Sequence, residues 1–188
     1  MNRKNSQVVK AVIFVLLIAL VATLIVKTPD FIKKNGYAVK KSGSRVPAPL
    51  FSVSSINFPG KTISLKDYRG KIVLVNFFGT WCPPCKDEIP MLEKFYKTHS
   101  KDGFAIIGLS VDRKGRKYVA GFIRKFKGGI ITYPVGMADY PIIRDYGNIY
   151  EIPQSFFINR KGYVVSHITG EITRRYLTYE FSKLNKAK

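Results

Sequence analysis

The sequence predicts an α/β domain with a central mixed β-sheet flanked by helices. Three observations carry this. Two apolar runs, Ile72–Phe78 and Phe104–Val111, lack the polar alternation of a half-exposed strand and read as strands covered on both faces. Between and after them lie stretches with helical spacing of apolar residues. Near the C-terminal end, two short strand-like runs flank Asn159-Arg160-Lys161-Gly162, a hairpin signal. Strand, helix, strand, helix, hairpin, helix is the order of a layered sheet with helices on both faces.

Residues 1–10 form a basic flank with Arg3, Lys4 and Lys10. Residues 11–26 (AVIFVLLIALVATLIV) carry no charge and, with Val8, Val9 and a snorkelling Lys10, approach the ~20 residues that span a bilayer core. A cleavable signal peptide has the same basic-then-apolar pattern, but no A-x-A-type site precedes Lys27. A retained, single-pass signal anchor is the expectation, with the remainder of the chain extracytoplasmic. The short N-terminal flank favours that orientation. The cations after the segment, Lys27, Lys33, Lys34, Lys40, Lys41 and Arg45, outnumber the three before it and oppose it.

Residues 27–45 read as a linker, and the polar stretch continues to Pro49. Residues 46–188 are the folded domain, long enough for a core of its own. Leu50–Val53 and Lys61–Leu65 form an N-terminal hairpin extension around Pro59-Gly60, and Asp67–Lys71 is a turn into the first buried strand. A helix is expected from Cys82 to about His99, with Ile89, Leu92, Phe95 and Tyr96 inward and Pro90 as a kink. Lys117–Lys127 has an apolar side of Val119, Phe122, Ile123 and Phe126, and Asp139–Tyr146 is a further short helix. Strands at Ser155–Ile158 and Tyr163–Ile168 precede a final helix, about Glu171 to Asn185.

The only two cysteines in 188 residues stand in Trp81-Cys82-Pro83-Pro84-Cys85, where the first buried strand gives way to a helix. A helix N-terminus lowers the pKa of a cysteine placed there, and only a thiolate attacks a disulfide. Cys82, expected to face solvent, is the nucleophile; Cys85, one turn on, is the resolving thiol. Pro84 suits a first helical turn, and Pro83 stiffens the loop between the sulfurs. A zinc site would need two further ligands, and only His99 and His167 remain, without finger spacing. A purely structural disulfide would close too small a loop to stabilise the fold much. Both histidines read as surface or strand residues.

The net charge is +20. The cations run along the whole chain without a nucleic-acid-binding module, so nucleic acid is not an expected partner. A solvated surface is the plain reading; anionic lipid headgroups or an acidic protein are the functional ones.

Val75–Cys85 with Glu88-Ile89-Pro90, Ser64–Lys71 and Ile152–Ile158 resemble the TlpA/ResA-like branch of the thioredoxin superfamily, over about residues 46–185. The resemblance implies a thioredoxin-like fold and a membrane-anchored, extracytoplasmic thiol–disulfide oxidoreductase. Its substrates would be protein disulfides, apocytochrome c among them, and its electrons would come from a transmembrane thiol donor. No metal or organic cofactor is implied beyond the Cys82–Cys85 disulfide. The resemblance also implies a cis-proline at Pro153 beside the dithiol, with the Ile152 backbone pairing with substrate. Glu88, three residues past Cys85, would be a partly buried carboxylate relaying protons. Trp81, Pro83, Pro84 and Glu151 would line the substrate surface, although Glu151 departs from the small or proline residue expected there.

Alternatives differ in kind. A disulfide-forming oxidant would use the same motif. A thiol peroxidase shares Thr80-x-Cys82 but lacks the proline expected upstream of that threonine. A metal or haem chaperone is the third; copper-delivery relatives of this fold usually carry C-x-x-x-C and a histidine, whereas the spacing here is C-x-x-C.

Overall fold

The computed structural model of the protein describes residues 46–186 and Ile13. The expected transmembrane segment, apart from Ile13, and the linker lie outside the described residues. Among those described, no helix is long and apolar enough to cross a membrane.

Twelve elements follow in order: β1 (Val46–Pro47), β2 (Ser52–Ser54), β3 (Thr62–Ser64), β4 (Ile72–Phe78), α1 (Pro83–His99), β5 (Phe104–Ser110), α2 (Gly115–Lys125), β6 (Val135–Met137), α3 (Tyr140–Asp145), β7 (Gln154–Ile158), β8 (Tyr163–Thr169) and α4 (Arg174–Lys186). Six strands form one mixed sheet in the order β1-β8-β7-β4-β5-β6. β4 and β5 run parallel, as do β5 and β6; β7 is antiparallel to β4 and β8. The N-terminal hairpin β2–β3 is a separate two-stranded sheet.

Every residue of β4 and β5 is buried, which accounts for runs without polar alternation. Successive β4 side chains point to opposite faces. Ile72, Leu74 and Phe78 join a core with Ile89, Leu92 and Phe95 of α1, Val119 and Ile123 of α2, and Leu177 and Phe181 of α4. Val73, Val75 and Phe77 join a second core with Ile142 of α3, Tyr146 and Phe156. Asn76 belongs to the first set by parity, so its side chain is aimed at α1.

Several boundaries differ from expectation. Val46, within the polar stretch read as running to Pro49, pairs with Val164 on the sheet edge. β6 has three residues and no periodicity to announce it; it is held by β5, not by its own propensity. α1 ends at His99, as expected, with Pro90 in its interior. The last helix starts at Arg174, three residues later than expected.

Candidate active site

The site sits where β4 ends and α1 begins. Phe78 is the last buried strand residue, and Gly79 turns the chain. A Cβ on Gly79 would lie 2.9 Å from Ile152 Cδ1 and 3.0 Å from the Trp81 ring, so only glycine lets both approach. The Cys82 N–H donates to Gly79 O at 3.1 Å, and Cys82 is the N-cap of α1. Pro83 and Pro84 fill the first helical positions, where a missing N–H leaves no bond unmade.

Cys82 and Cys85 are joined by a disulfide with Cα atoms 5.3 Å apart. The Cys85 N–H donates to Cys82 Sγ at 3.2 Å, a contact that favours negative charge on that sulfur once the bond is reduced. Cys85 is fully enclosed. Cys82 corrects the expectation of a solvent-facing sulfur: it is only 3 % exposed. In the disulfide, Cys82 Sγ turns inward to Cys85 and lies 3.7 Å from the Ile152 carbonyl oxygen. The surroundings carry the exposure instead. Trp81 is 63 % exposed, and Pro83, Pro84 and Glu151 are exposed. Ile152 is half-buried, Pro153 is buried, and the bond between them is cis, as expected. Gln154 Nε2 donates to the Glu151 carbonyl at 2.9 Å and holds that loop from behind.

Glu88 is 1 % exposed, against the partial burial expected. Helical spacing carries it from Cys85 toward the sheet, where Asn76 Nδ2 donates to Oε1 at 2.8 Å and the Ile172 N–H donates to Oε2 at 2.9 Å. Burial dominates and raises its pKa to about 7; the Ile172 and Asn76 bonds pull it down, and the Glu171 charge adds slightly to the rise. A carboxylate titrating there exchanges protons at neutral pH.

Sequence reasoning missed the groups that hold this carboxylate and the redox loop. Asn76 donates also to Ser155 Oγ at 3.1 Å, across the β4–β7 pairing. Its Oδ1 is buried without a partner. Asp112, just past β5, accepts from the Thr80 N–H at 2.9 Å, Thr80 Oγ1 at 2.7 Å and Ser110 Oγ at 2.8 Å, tying the redox loop to the neighbouring strand. The signal was present for Asn76: a single polar residue inside the run Ile72–Phe78 must find a partner once buried. His99 bonds Asp102 at 3.1 Å, and His167 bonds Gln154 at 2.8 Å while stacking on Phe156. They do not converge on the cysteines. Among the described residues, no group of histidine, cysteine and carboxylate side chains could hold a metal ion.

Comparison with known proteins agrees with this geometry. Residues 45–167 match the model of the AhpC/TSA family. The chain is 32 % identical over 185 residues to the thiol-disulfide oxidoreductase ResA of Bacillus thuringiensis subsp. konkukian (strain 97-27), covering 97 % of this chain and 98 % of that one. It is 35 % identical over 153 residues to ResA of Bacillus cereus (strain ATCC 10987 / NRS 248), covering 80 % and 84 %. Among solved structures, a thiol:disulfide interchange protein of the thioredoxin family from Chlorobium tepidum TLS superposes with a TM-score of 0.67 at 35 % identity, covering 76 % of this chain and 97 % of that one. StoA from Bacillus subtilis superposes with a TM-score of 0.59 at 28 % identity, covering 72 % and 98 %.

Proposed function

The chain belongs to the AhpC/TSA family and, with its ResA relatives, to the thiol–disulfide oxidoreductases; on that premise we propose that it is a membrane-anchored, extracytoplasmic reductant of protein disulfides, with apocytochrome c among its substrates. The observation that carries the reading is the Cys82–Cys85 disulfide at the first turn of α1, with the Ile152 carbonyl beside Cys82.

The reaction follows from these groups. In the reduced state, Cys82 Sγ is held as a thiolate by the Cys85 N–H and the positive end of α1. The substrate chain lies along the exposed Trp81, Pro83 and Glu151 and pairs its backbone with Ile152. Cys82 Sγ attacks one sulfur of the substrate disulfide, and the other leaves as a thiolate that takes a proton from water. Cys85 then gives up its thiol proton, with Glu88 as the acceptor, and attacks Cys82 Sγ. The second substrate sulfur leaves as a thiolate that takes a proton from water, two electrons have passed to the substrate, and the Cys82–Cys85 disulfide is formed. A transmembrane dithiol donor returns the two electrons. The N-terminal apolar segment, residues 11–26, supports the anchor and the extracytoplasmic placement.

The deciding experiment is the equilibrium reduction potential of the full-length chain in detergent, titrated against a thiol/disulfide buffer. A value below about −200 mV is expected for a reductant. A value near −120 mV, roughly that of a strong oxidant, overturns the direction and with it the role toward apocytochrome c.

A further inference from the structure

We propose that the outward face of α2 is a second membrane-contacting surface, one that seats on anionic lipid headgroups. From Arg113 to Ala138 the chain carries seven Lys and Arg residues and not one Asp or Glu. The structure places four of the seven on one face of α2. Val119 and Ile123 are buried against the sheet, while Lys114, Lys117, Arg124 and Lys125 are exposed. At 100° per residue, those four cations share one side of the helix with Tyr118 and Gly121. Tyr118 is 47 % exposed, under Lys114 Nζ at 4.7 Å from its ring centre. A Cβ on Gly121 would meet nothing within 4 Å, so the middle of the stripe is low and open. Arg116 points elsewhere and is engaged with the Ser54 and Ser55 carbonyls.

A uniformly cationic stripe bordered by an amphipathic aromatic fits a lipid surface better than a folded protein partner. Headgroups present one sign of charge without a fixed pattern, whereas protein interfaces interleave both signs. The surface also begins at the redox loop, because Asp112, the residue before Arg113, binds the Thr80 N–H and hydroxyl. Contact through α2 would therefore bring Cys82 toward the bilayer, where a transmembrane electron donor presents its thiols. The inference takes from the proposed function only that a membrane is within reach.

The test is lysine footprinting of the full-length protein reconstituted in vesicles of phosphatidylcholine alone or with about 30 % phosphatidylglycerol. A membrane-impermeant acetylating reagent is read out at each lysine by mass spectrometry. Lys114, Lys117 and Lys125 are expected to react at least about three-fold more slowly in the anionic vesicles, with Lys71 and Lys161, exposed at the other end of the sheet, unchanged. About 0.5 M salt should abolish the difference. Reversing charge with Lys117→Glu and Arg124→Glu together should restore fast labelling of Lys114 and Lys125. Equal rates in both vesicles, or equal slowing at all five lysines, overturns the proposal. Protection by added polyglutamate but not by phosphatidylglycerol overturns it in favour of an acidic polypeptide partner. Labelling requires no turnover, so it fails or succeeds independently of the dithiol chemistry.

Discussion

Asn76, inside β4, donates a 2.8 Å hydrogen bond to Glu88 Oε1, while its own Oδ1 stands buried without a partner. The amide is thus oriented for the ionised carboxylate, whose charge it and the Ile172 N–H stabilise. Removing Asn76 removes one of two bonds to the charged form. In Asn76→Ala the Glu88 pKa should rise above about 7, and the midpoint of the rate–pH profile for insulin disulfide reduction should move up by about one pH unit. An unchanged midpoint in a folded variant would show that Asn76 does not set the proton affinity.

Glu88→Gln tests the same pair from the other side. The introduced amide keeps the Ile172 N–H through its oxygen, and Asn76 turns its own amide so that the orphaned Oδ1 accepts from the new NH₂ group. The variant should fold, yet hold no titratable proton. For the parent, an unfolded Glu88 deprotonates near 4.5 and the folded one near 7. Folded protein therefore binds more protons between those values, and stability falls as pH rises through that window, by roughly 3 kcal/mol at most, then levels off. Urea unfolding from pH 4 to 8 should show that slope in the parent and lose it in Glu88→Gln.

The Asp112 strap predicts a local effect on the redox loop. Asp112→Ala leaves the buried Thr80 N–H and hydroxyl unpaired, at a cost of about 2–4 kcal/mol. Hydrogen exchange should accelerate at Thr80 and Trp81 before it does so along β4. Uniform acceleration throughout the domain would mean that the strap acts on global stability alone.

Gly79→Ala places a methyl group 2.9 Å from Ile152 Cδ1 and 3.0 Å from the Trp81 ring. Ile152 and Trp81 must move apart, and the site that receives substrate changes shape. The expected result is a loss of activity of about ten-fold or more, with a melting temperature lowered by only a few degrees. Activity within two-fold of the parent would remove Gly79 from the list of shaping residues.

The two cysteines should separate kinetically. Cys82→Ser should lose insulin reduction, roughly to background. Cys85→Ser should still attack and accumulate a mixed disulfide with substrate, visible on a non-reducing gel. The opposite pattern would exchange their roles.

Strands covered on both faces, the hairpin signals and the dithiol at a helix start are all legible in the sequence, because each rests on local spacing or turn chemistry. The burial of Cys82 is not, for a tertiary reason: its exposure depends on the Ile152 carbonyl, 70 residues away in the chain. β6 is invisible because β5 holds a three-residue segment that has no pattern of its own. Helical spacing places Glu88, but the depth of its burial comes from Ile172 and the sheet above it. Asp112 carries no local signature; only the fold brings it under Thr80.

The Ile172–Glu88 bond joins residues 84 positions apart. A ribosome adding about 5–20 residues per second emits both cysteines and then needs roughly 4–17 s more to supply the backbone N–H that completes the carboxylate's site. Until then Glu88 lacks both that stabilising bond and the cover of the Ile172 segment, so the enclosure that raises its pKa is incomplete. The Glu88 pocket is thus completed late, just before the final helix is made. A chain cut short before Ile172 would carry an intact C-P-P-C motif with immature acid–base behaviour.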